Sequence, residues 1–388
     1  MKRFVSIVLT AFLSAAYMTP NVFAEEEKGA QLTENVKSAI LIERDTGEVL
    51  YEKNSQEQLP PASMTKIMTM LLIMEALDEG SLSMKERVRT SEYAASMGGS
   101  QIFLETGEEM TVEQMLKGIA IGSGNDASVA MAERIAGSEE NFVDMMNQKA
   151  KELGLKDTKF QNTTGLPVED HYSTAHNMAI MAKELLKYED ITKFTGTYEA
   201  YLRENTDKKF WLVNTNKLVR FYPGVDGLKT GFTKEAMYCL TATAQKDGMR
   251  VIAVVFGAPT SKERNAQVTK MLDYAFNQYK TSPIFERNHV LGNAKVSKGA
   301  KKTVEVVTSE RISLLTKKGE NIENVKQKVV LNKNLKAPLK KGDQIGTLTI
   351  ERKGETLVKS PLVAKEDIDA AGWWTLYKRA MGMFTKTK

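Results

Sequence analysis

Three short motifs occur in order along the 388-residue chain, and together they describe a serine nucleophile activated by a lysine. They are Ser63-Met64-Thr65-Lys66, Ser123-Gly124-Asn125 and Lys229-Thr230-Gly231. Each is weak alone, since a Ser-x-x-Lys pattern arises about once by chance in a chain of this length. Their order and spacing, 60 residues from the first to the second and 106 to the third, favour one common site.

Ser63 and Lys66 lie three residues apart at the start of a predicted helix, so their side chains share a face. A serine hydroxyl is a poor nucleophile until a neighbouring base takes its proton. Lysine can be that base only when partly neutral, a state favoured by burial beside another cation such as Lys229. The helix start also leaves the Ser63 N–H free for a developing oxyanion. Without the other motifs, an ordinary helix start with a solvent-facing lysine would be the simpler interpretation.

The second and third motifs offer groups that could serve the same reaction. The Ser123 hydroxyl can relay a proton between lysine and a leaving amine, and the Asn125 amide can hold a substrate carbonyl. Lys229 and Thr230, at the predicted start of a strand, can receive a terminal carboxylate. Gly231 lets a peptide approach the strand edge closely.

With these motifs, the chain resembles the D-alanyl-D-alanine carboxypeptidases, which are low-molecular-mass penicillin-binding proteins. The likeness extends over about residues 33–385 and includes residues 61–66, 162–166 and 224–231. It implies that Ser63 forms an acyl-ester, that Lys66 is its base, and that Ser123 and Asn125 form the second catalytic element.

On the substrate side, the resemblance implies that Lys229, Thr230 and Gly231 form the strand along which the peptide lies. Arg264 matches an arginine that binds the terminal carboxylate in this family. The backbone N–H of Phe232 would be the second oxyanion donor, at a position where some relatives carry histidine. The implied partners are peptidoglycan stem peptides and, as covalent inhibitors, β-lactam antibiotics. No cofactor, metal or nucleic acid is expected.

The expected fold class is α+β. Apolar runs at residues 38–42, 49–51, 238–244 and 251–256 predict strands at both ends of a helical middle region. This order favours an antiparallel sheet covered by helices. The resemblance implies a β-lactamase/transpeptidase-like domain, with helices on both sheet faces and a helical subdomain. Cys239, the only cysteine, is predicted to be a buried strand residue.

Four segments are predicted along the chain. Residues 1–24 have the basic start, short apolar run and small-residue cleavage site of a secretory signal. Residues 25–283 form the serine peptidase domain, and residues 284–365, with short alternating runs, a small all-β domain. Residues 366–388 form an amphipathic helix. The mature protein is therefore expected outside the cytoplasm, peripheral on the outer face of the cytoplasmic membrane.

Charge is distributed unevenly between these segments. Residues 25–283 carry 30 lysines and arginines against 38 acidic residues, a balance of −8. Residues 284–365 carry 18 against 8, a balance of +10, and the tail carries 4 against 3. The basic β module indicates a surface that faces an anionic polymer or lipid. A solvated basic domain without a partner is the alternative.

The tail has aromatic side chains on one helical face and cations on the other. At 100° per residue, the apolar face collects Trp373, Trp374, Leu376, Tyr377, Ala380, Met381, Met383 and Phe384, and the polar face Thr375, Lys378, Arg379, Gly382 and Lys386. This pattern predicts a helix that lies in the interface of an anionic membrane. A helix docked on the β module is the alternative.

The sequence disfavours three other functions. A class A β-lactamase would carry Ser-Asp-Asn in the second motif and a glutamate for deacylation, for which residues 150–180 show no Glu-x-x-Leu-Asn pattern. A zinc peptidase is disfavoured because His171 and His176 do not align on a helix and His289 is distant, so exposed histidines are expected. A non-enzymatic wall-binding protein would not need the intact motifs.

Overall fold

The computed structural model describes residues 31–320, 325–352 and 354–384, so the predicted signal peptide lies outside the described residues. In the first domain the strands are β1 (Ser38–Glu43), β2 (Val49–Lys53), β3 (Arg87–Arg89), β4 (Glu109–Thr111), β5 (Glu199–Leu202), β6 (Phe210–Val213), β7 (Val225–Thr233), β8 (Met237–Lys246) and β9 (Met249–Ala258). The helices are α1 (Lys66–Asp78), α2 (Glu92–Ala95), α3 (Val112–Gly122), α4 (Asn125–Ala136), α5 (Glu139–Glu152), α6 (Ala175–Leu185), α7 (Thr192–Thr195), α8 (Leu218–Phe221) and α9 (Ser261–Gln278).

A five-stranded antiparallel sheet in the order β2-β1-β9-β8-β7 forms the centre of this domain. Its β9 strand is almost entirely buried, as expected for a strand covered on both faces. One face packs on α9 through residues such as Val268 and Leu272. The other packs on the helical subdomain, including the buried α1. The predicted α+β arrangement is confirmed, and Cys239 is buried as expected.

Ser123 and Lys229 lie near predicted boundaries of secondary structure elements. Helical patterns in residues 111–153 predict a break at Gly137, and residues 122–124 also have the composition of a turn. The structure has both breaks, since α3 ends at Gly122 and α4 runs from Asn125 to Ala136. The break between α3 and α4 occurs because Ser123 has a left-handed backbone, with φ 63°. Lys229 lies in the middle of β7 rather than at its start.

The second domain contains seven strands within the described residues. They are β10 (Tyr279–Phe285), β11 (Val290–Lys295), β12 (Thr303–Thr308), β13 (Ile312–Lys317), β14 (Lys326–Leu331), β15 (Gln344–Arg352) and β16 (Glu355–Ala364). Five of them form a sheet in the order β11-β12-β16-β15-β14, and β10 pairs with β13. Its own apolar core includes Ile345, Leu348 and Leu362. The predicted small all-β domain is therefore confirmed.

The two domains are joined by polar contacts as well as by chain continuity. Lys183 forms an ion pair with Glu310 at 3.0 Å, and Arg287 donates to the Lys187 carbonyl at 2.9 Å. The buried Asp45 carboxylate accepts from Ser313. These contacts place the second domain on the side of the helical subdomain formed by α6 and the β1–β2 turn.

The tail helix α10 (Trp373–Phe384) follows residues that pack on the second domain, where Ile368 is buried. Arg379 donates to the carbonyls of Gly299 and Ala300 at 2.7 and 2.8 Å. The Trp373 side chain is 73% exposed and Trp374 is 57% exposed. Among the described residues, no helix has both the length and the apolar character needed to cross a bilayer.

Candidate active site

Ser63 lies in a single 3₁₀ turn, Ala62–Thr65, that leads directly into α1. The turn begins with strained backbone, since Ala62 has φ 48°, a left-handed value that is uncommon for a residue with a Cβ. Strain of this kind persists only where the surroundings hold it. The Ser63 side chain is half-buried, while its neighbours Ala62 and Met64 are buried.

Glycines at two positions allow other segments to approach this turn. A Cβ on Gly165, which has φ 82°, would lie 1.8 Å from the Ala62 carbonyl oxygen. A Cβ on Gly231 would lie 2.7 Å from the Pro61 carbonyl oxygen. Both contacts are far inside van der Waals distance, so only glycine lets the two backbones pass so close to the serine.

Lys66 is completely buried and forms three hydrogen bonds at the base of the site. Its Nζ donates to Ser63 Oγ at 3.2 Å, to Asn125 Oδ1 at 2.7 Å and to the Thr164 carbonyl at 2.8 Å. Burial lowers the pKa of Lys66 well below its ordinary value, and the nearby Lys229 lowers it further. The predicted neutral lysine within reach of the serine hydroxyl is therefore geometrically and electrostatically feasible.

Ser123 and Asn125 flank the break between α3 and α4. The Ser123 hydroxyl is buried and has no hydrogen-bond partner among the described residues, so it is available to a reacting group. Asn125 is held at both ends: its Nδ2 donates to the Gly98 carbonyl at 2.7 Å, and its backbone N–H donates to the Ser100 carbonyl at 2.7 Å. Such fixed geometry suits a group that orients a substrate.

Asp126 follows this motif and organises the loop above it, a role that the sequence analysis missed. Its carboxylate accepts from the backbone N–H groups of Ile102 and Leu104 at 3.0 Å each. It also acts to raise the pKa of Lys66, against the larger effects of burial and of Lys229. Its position beside Asn125 was the only signal in the sequence.

Lys229 and Thr230 are consecutive in β7, the strand whose Gly231 lies against the turn that carries Ser63. Burial, assisted by the positive charge of Arg264, lowers the pKa of Lys229 to about 7. The Thr230 hydroxyl donates to the Thr215 hydroxyl at 2.8 Å, a partner that the sequence did not reveal. The Phe232 ring is exposed and packs against Tyr238, with centroids 4.4 Å apart.

Arg264 occupies the first turn of α9 and is also buried. Its Nη1 donates to the Cys239 carbonyl at 3.5 Å, and its Nε and Nη2 donate to Asn265 Oδ1 at 3.1 and 2.9 Å. Burial lowers the pKa of this guanidinium to about 10. Since Cys239 pairs with Gly231 across β7 and β8, the arginine reaches the back of the substrate-side strand.

The expectation of exposed histidines is wrong for His171, which is 7% exposed. Its Nδ1 accepts from the Gln161 N–H at 3.1 Å, so Nε2 carries the proton and donates to Thr65 Oγ1 at 2.8 Å. Burial lowers the pKa of His171 to about 4, so the ring stays neutral near pH 7. His171 thus supports the turn that carries Ser63.

A groove of about 610 Å³ lies beside the serine turn, and its lining does not include Ser63, Lys66 or Lys229. Its walls come from residues 58–62 and 165–172, with Thr233 and Glu235 at the β7 side. Among the described residues, no three histidine, cysteine or acidic side chains cluster as a metal site would require. The geometry therefore offers a serine, an adjacent buried lysine, and a second buried lysine, Lys229, close enough to lower the pKa of the first.

Two known protein families match this chain, one over each domain. The family model described as D-alanyl-D-alanine carboxypeptidase, peptidase S11, matches residues 24–260. The chain belongs to the D-alanyl-D-alanine carboxypeptidase family. A second model, described as the C-terminal domain of penicillin-binding protein 5, matches residues 279–370. The enzyme is thus a carboxypeptidase of the penicillin-binding protein family, which acts in peptidoglycan metabolism.

Individual relatives agree with this assignment. The carboxypeptidase is 64% identical to D-alanyl-D-alanine carboxypeptidase DacF of Bacillus subtilis, over the full length of both chains. It is 33% identical to DacC of Escherichia coli, over 92% of this chain and 90% of the relative. Penicillin-binding protein 5 of Haemophilus influenzae superposes with a TM-score of 0.66 at 31% identity, covering 86% of this chain and 98% of that one.

A smaller relative has been solved with a ligand. Penicillin-binding protein D2 of Listeria monocytogenes, in its ampicillin-bound form, superposes with a TM-score of 0.56 at 31% identity. The match covers 62% of this chain and 98% of that protein. The carboxypeptidase therefore shares its fold with a protein that binds a β-lactam.

Proposed function

We propose that the enzyme is exported and removes the C-terminal D-alanine from peptidoglycan stem pentapeptides through an acyl-ester on Ser63. The observation that carries this proposal is the 3.2 Å hydrogen bond between Lys66 Nζ and Ser63 Oγ, with the lysine fully buried. Burial lowers the pKa of Lys66 and so favours the neutral amine, which can accept the serine proton. No other described group contacts the Ser63 hydroxyl more closely as a base.

In acylation, Ser63 Oγ attacks the carbonyl carbon of the penultimate D-alanine as its proton passes to Lys66 Nζ. The Ser63 N–H and, as the family resemblance implies, the Phe232 N–H would stabilise the oxyanion. When the C–N bond breaks, the proton passes from Lys66 through the Ser123 hydroxyl to the leaving amine, and D-alanine departs. A water then attacks the ester, with Lys66 accepting its proton and Ser63 regaining one.

The same steps would make the enzyme a target of β-lactams. The strained amide of the antibiotic takes the place of the D-Ala-D-Ala bond, and the ring nitrogen is the leaving group. Because that nitrogen stays attached to the acyl part, it does not leave the groove, and water reaches the ester slowly. A labelled penicillin is therefore expected to mark the protein covalently.

A paired assay tests the proposed function. Purified protein lacking residues 1–24 is incubated with a fluorescent penicillin and, separately, with a stem pentapeptide, and free D-alanine is measured. Labelling together with D-alanine release is the expected result. Labelling without release would instead indicate a sensor that is only acylated, and release of the antibiotic as rapid as its capture would indicate a β-lactamase.

Arg264 is proposed to read the free carboxylate of the substrate, together with Thr230. A charge-assisted hydrogen bond contributes roughly 1.5–3 kcal/mol. Arg264→Ala is therefore expected to lower kcat/KM for the free-acid peptide by about one to two orders of magnitude. The kcat/KM values are obtained from the steady-state release of D-alanine from the free-acid peptide and of D-alaninamide from the amidated peptide.

The matched control is Lys262→Ala, which removes an exposed cation from the same turn of α9. This control should keep the wild-type preference for the free acid. If Arg264→Ala discriminates between free and amidated peptides as the wild type does, another group reads the carboxylate.

The tail is proposed to hold the enzyme on the outer face of the cytoplasmic membrane. Trp373, Trp374 and Tyr377 form a continuous exposed aromatic surface, with ring centroids 5.4 to 5.8 Å apart. Lys378 Nζ lies 5.6 Å from the Trp374 ring. Aromatic rings and cations of this kind favour the headgroup region, where each cation adds on the order of 1 kcal/mol at an anionic leaflet.

Deletion of residues 373–388 is expected to abolish binding to anionic liposomes without lowering turnover of a small peptide. The deletion spares residues 366–372, because Ile368 is part of the β-domain core. Sedimentation with phosphatidylglycerol vesicles measures the effect, and Trp373→Ser with Trp374→Ser should reproduce most of it. Equal sedimentation of the full-length and shortened proteins would refute the anchor.

A further inference from the structure

The hairpin of β5 and β6 exposes two aromatic side chains side by side. Tyr201 and Trp211 are directly opposite each other in the antiparallel pair, and they are 42% and 56% exposed. Leu202 and Leu212, at the alternating positions, are buried below. The two rings therefore share the outer face of the hairpin, and we call this pair the hairpin platform. The two adjacent rings form a small exposed apolar surface on the hairpin.

Polar groups border the hairpin platform. The Trp211 indole N–H donates to a Glu199 carboxylate oxygen at 3.3 Å. The Lys209 ammonium lies 4.0 Å from the centre of the Tyr201 ring. Glu199 and Lys209 thus hold the two rings in place. They also offer a hydrogen-bond acceptor and a donor at the edge of the hairpin platform.

The hairpin is fixed to the loop that borders the catalytic groups. Arg203, directly after β5, donates to the carbonyls of Ile102 and Phe103 at 3.0 Å each. The same arginine forms a two-bond ion pair with Glu108. Residue 100 of this loop also accepts the Asn125 N–H. The platform is therefore pre-formed and rigidly related to the active site, which reduces the ordering cost of binding.

The other end of the hairpin reaches the substrate-side strand. Thr215, two residues beyond β6, accepts a hydrogen bond from the Thr230 hydroxyl at 2.8 Å. Trp211 precedes Thr215 by four residues, and an extended chain of four residues spans roughly 13 Å. An extended peptide of four residues, bound with its last carbonyl at Ser63, spans roughly 13–14 Å as well.

We propose that the hairpin platform binds a sugar ring of the glycan strand that carries the stem peptide. The inference rests on the proposed function, which supplies the peptide. An N-acetylated pyranose has an apolar C–H face and a rim of hydroxyl and amide groups. Its C–H face suits the electron-rich face of Trp211, beside the Tyr201 ring that Lys209 covers. Its rim can donate to Glu199 and accept from Lys209.

The test compares two soluble substrates with the same peptide, one free and one joined to its disaccharide. Trp211→Ala is expected to lower kcat/KM for the disaccharide-linked pentapeptide about tenfold more than for the free pentapeptide. Trp211→Phe, which keeps a ring, should recover most of this difference. Phe221→Ala, which removes an exposed ring from α8, is the control and should keep the wild-type ratio between the substrates.

A binding measurement separates this inference from the proposed function. NMR titration with chitotetraose, an oligomer of N-acetylglucosamine, should show binding to wild type that Trp211→Ala or Tyr201→Ala weakens at least tenfold. If the wild-type enzyme binds chitotetraose but releases no D-alanine, the proposed function is overturned and the inference about the platform is not. The platform would be overturned if Trp211→Ala left the ratio of kcat/KM between the two substrates unchanged or lowered kcat/KM equally for both. It would also be overturned if Trp211→Ala lost only its binding to liposomes.

Discussion

Alanine in place of Ser63 is expected to abolish both the penicillin adduct and the release of D-alanine. The serine oxygen is the atom to which the acyl group would be attached, and no other hydroxyl of the described residues is hydrogen-bonded to the neighbouring lysine. Removal of a peptidase nucleophile lowers kcat on the order of 10⁴- to 10⁶-fold. The fold should be retained, because the Ser63 side chain is only half-buried and alanine fits the 3₁₀ turn.

Intact-protein mass spectrometry after incubation with penicillin measures this effect. Ser83→Ala, which removes an exposed serine hydroxyl, is the matched control and should still gain the mass of one antibiotic. A Ser63→Ala protein that acquires the same adduct would show that the nucleophile lies elsewhere.

Arginine in place of Lys66 is expected to slow acylation by about two to four orders of magnitude, the range that general acid–base catalysis contributes. Arginine keeps a positive charge but does not lose its proton at accessible pH. Lys66 can lose one, because burial and Lys229 lower its pKa. The variant therefore distinguishes a lysine that acts as a base from one that acts only as a cation.

The pH dependence of penicillin acylation adds a second measurement. In wild type, the rate constant should fall as pH falls through the lowered pKa of Lys66, because protonation removes the base. Lys66→Arg should show no such limb. Lys66→Met, of similar length and uncharged, should be as slow as the arginine variant, while Lys262→Arg should behave as wild type. An arginine variant that acylates at the wild-type rate would rule out Lys66 as the base.

The sequence was sufficient for the elements whose side-chain pattern is strong. The apolar stripe after Ser63 gave α1, and the runs around Asp247 gave β8 and β9. The spacing of apolar residues does not locate a helix end where the helix is buried on every side. Residues 112–132 are mostly buried in both α3 and α4, so the apolar pattern continues through the break at Ser123. The glycines on either side of Ser123, rather than the periodicity, signal this boundary in the sequence.

Long-range contacts account for what the motifs did not reveal about the site. The Thr164 carbonyl that accepts from Lys66 is 98 residues away in the chain, and Thr215, the partner of Thr230, carries no local signal. His171 was expected to be exposed near a helix start, but it is buried and bonds Thr65 in the turn of Ser63. The identity of the reacting groups was predictable, whereas the supports that hold them depend on the tertiary fold.

The burial of two lysines has a consequence for the folding free energy of the enzyme. Both have a lower pKa in the folded chain than in the unfolded chain, so unfolding takes up protons. For Lys229 the destabilisation is complete below about pH 7 and disappears as pH rises toward its ordinary value of 10.5. Lys66→Met should therefore melt at a higher temperature than wild type at neutral pH, although it is inactive, and scanning calorimetry would measure the difference. The catalytic lysine thus lowers the stability of the folded protein although the activity requires it, as expected where activity and stability compete.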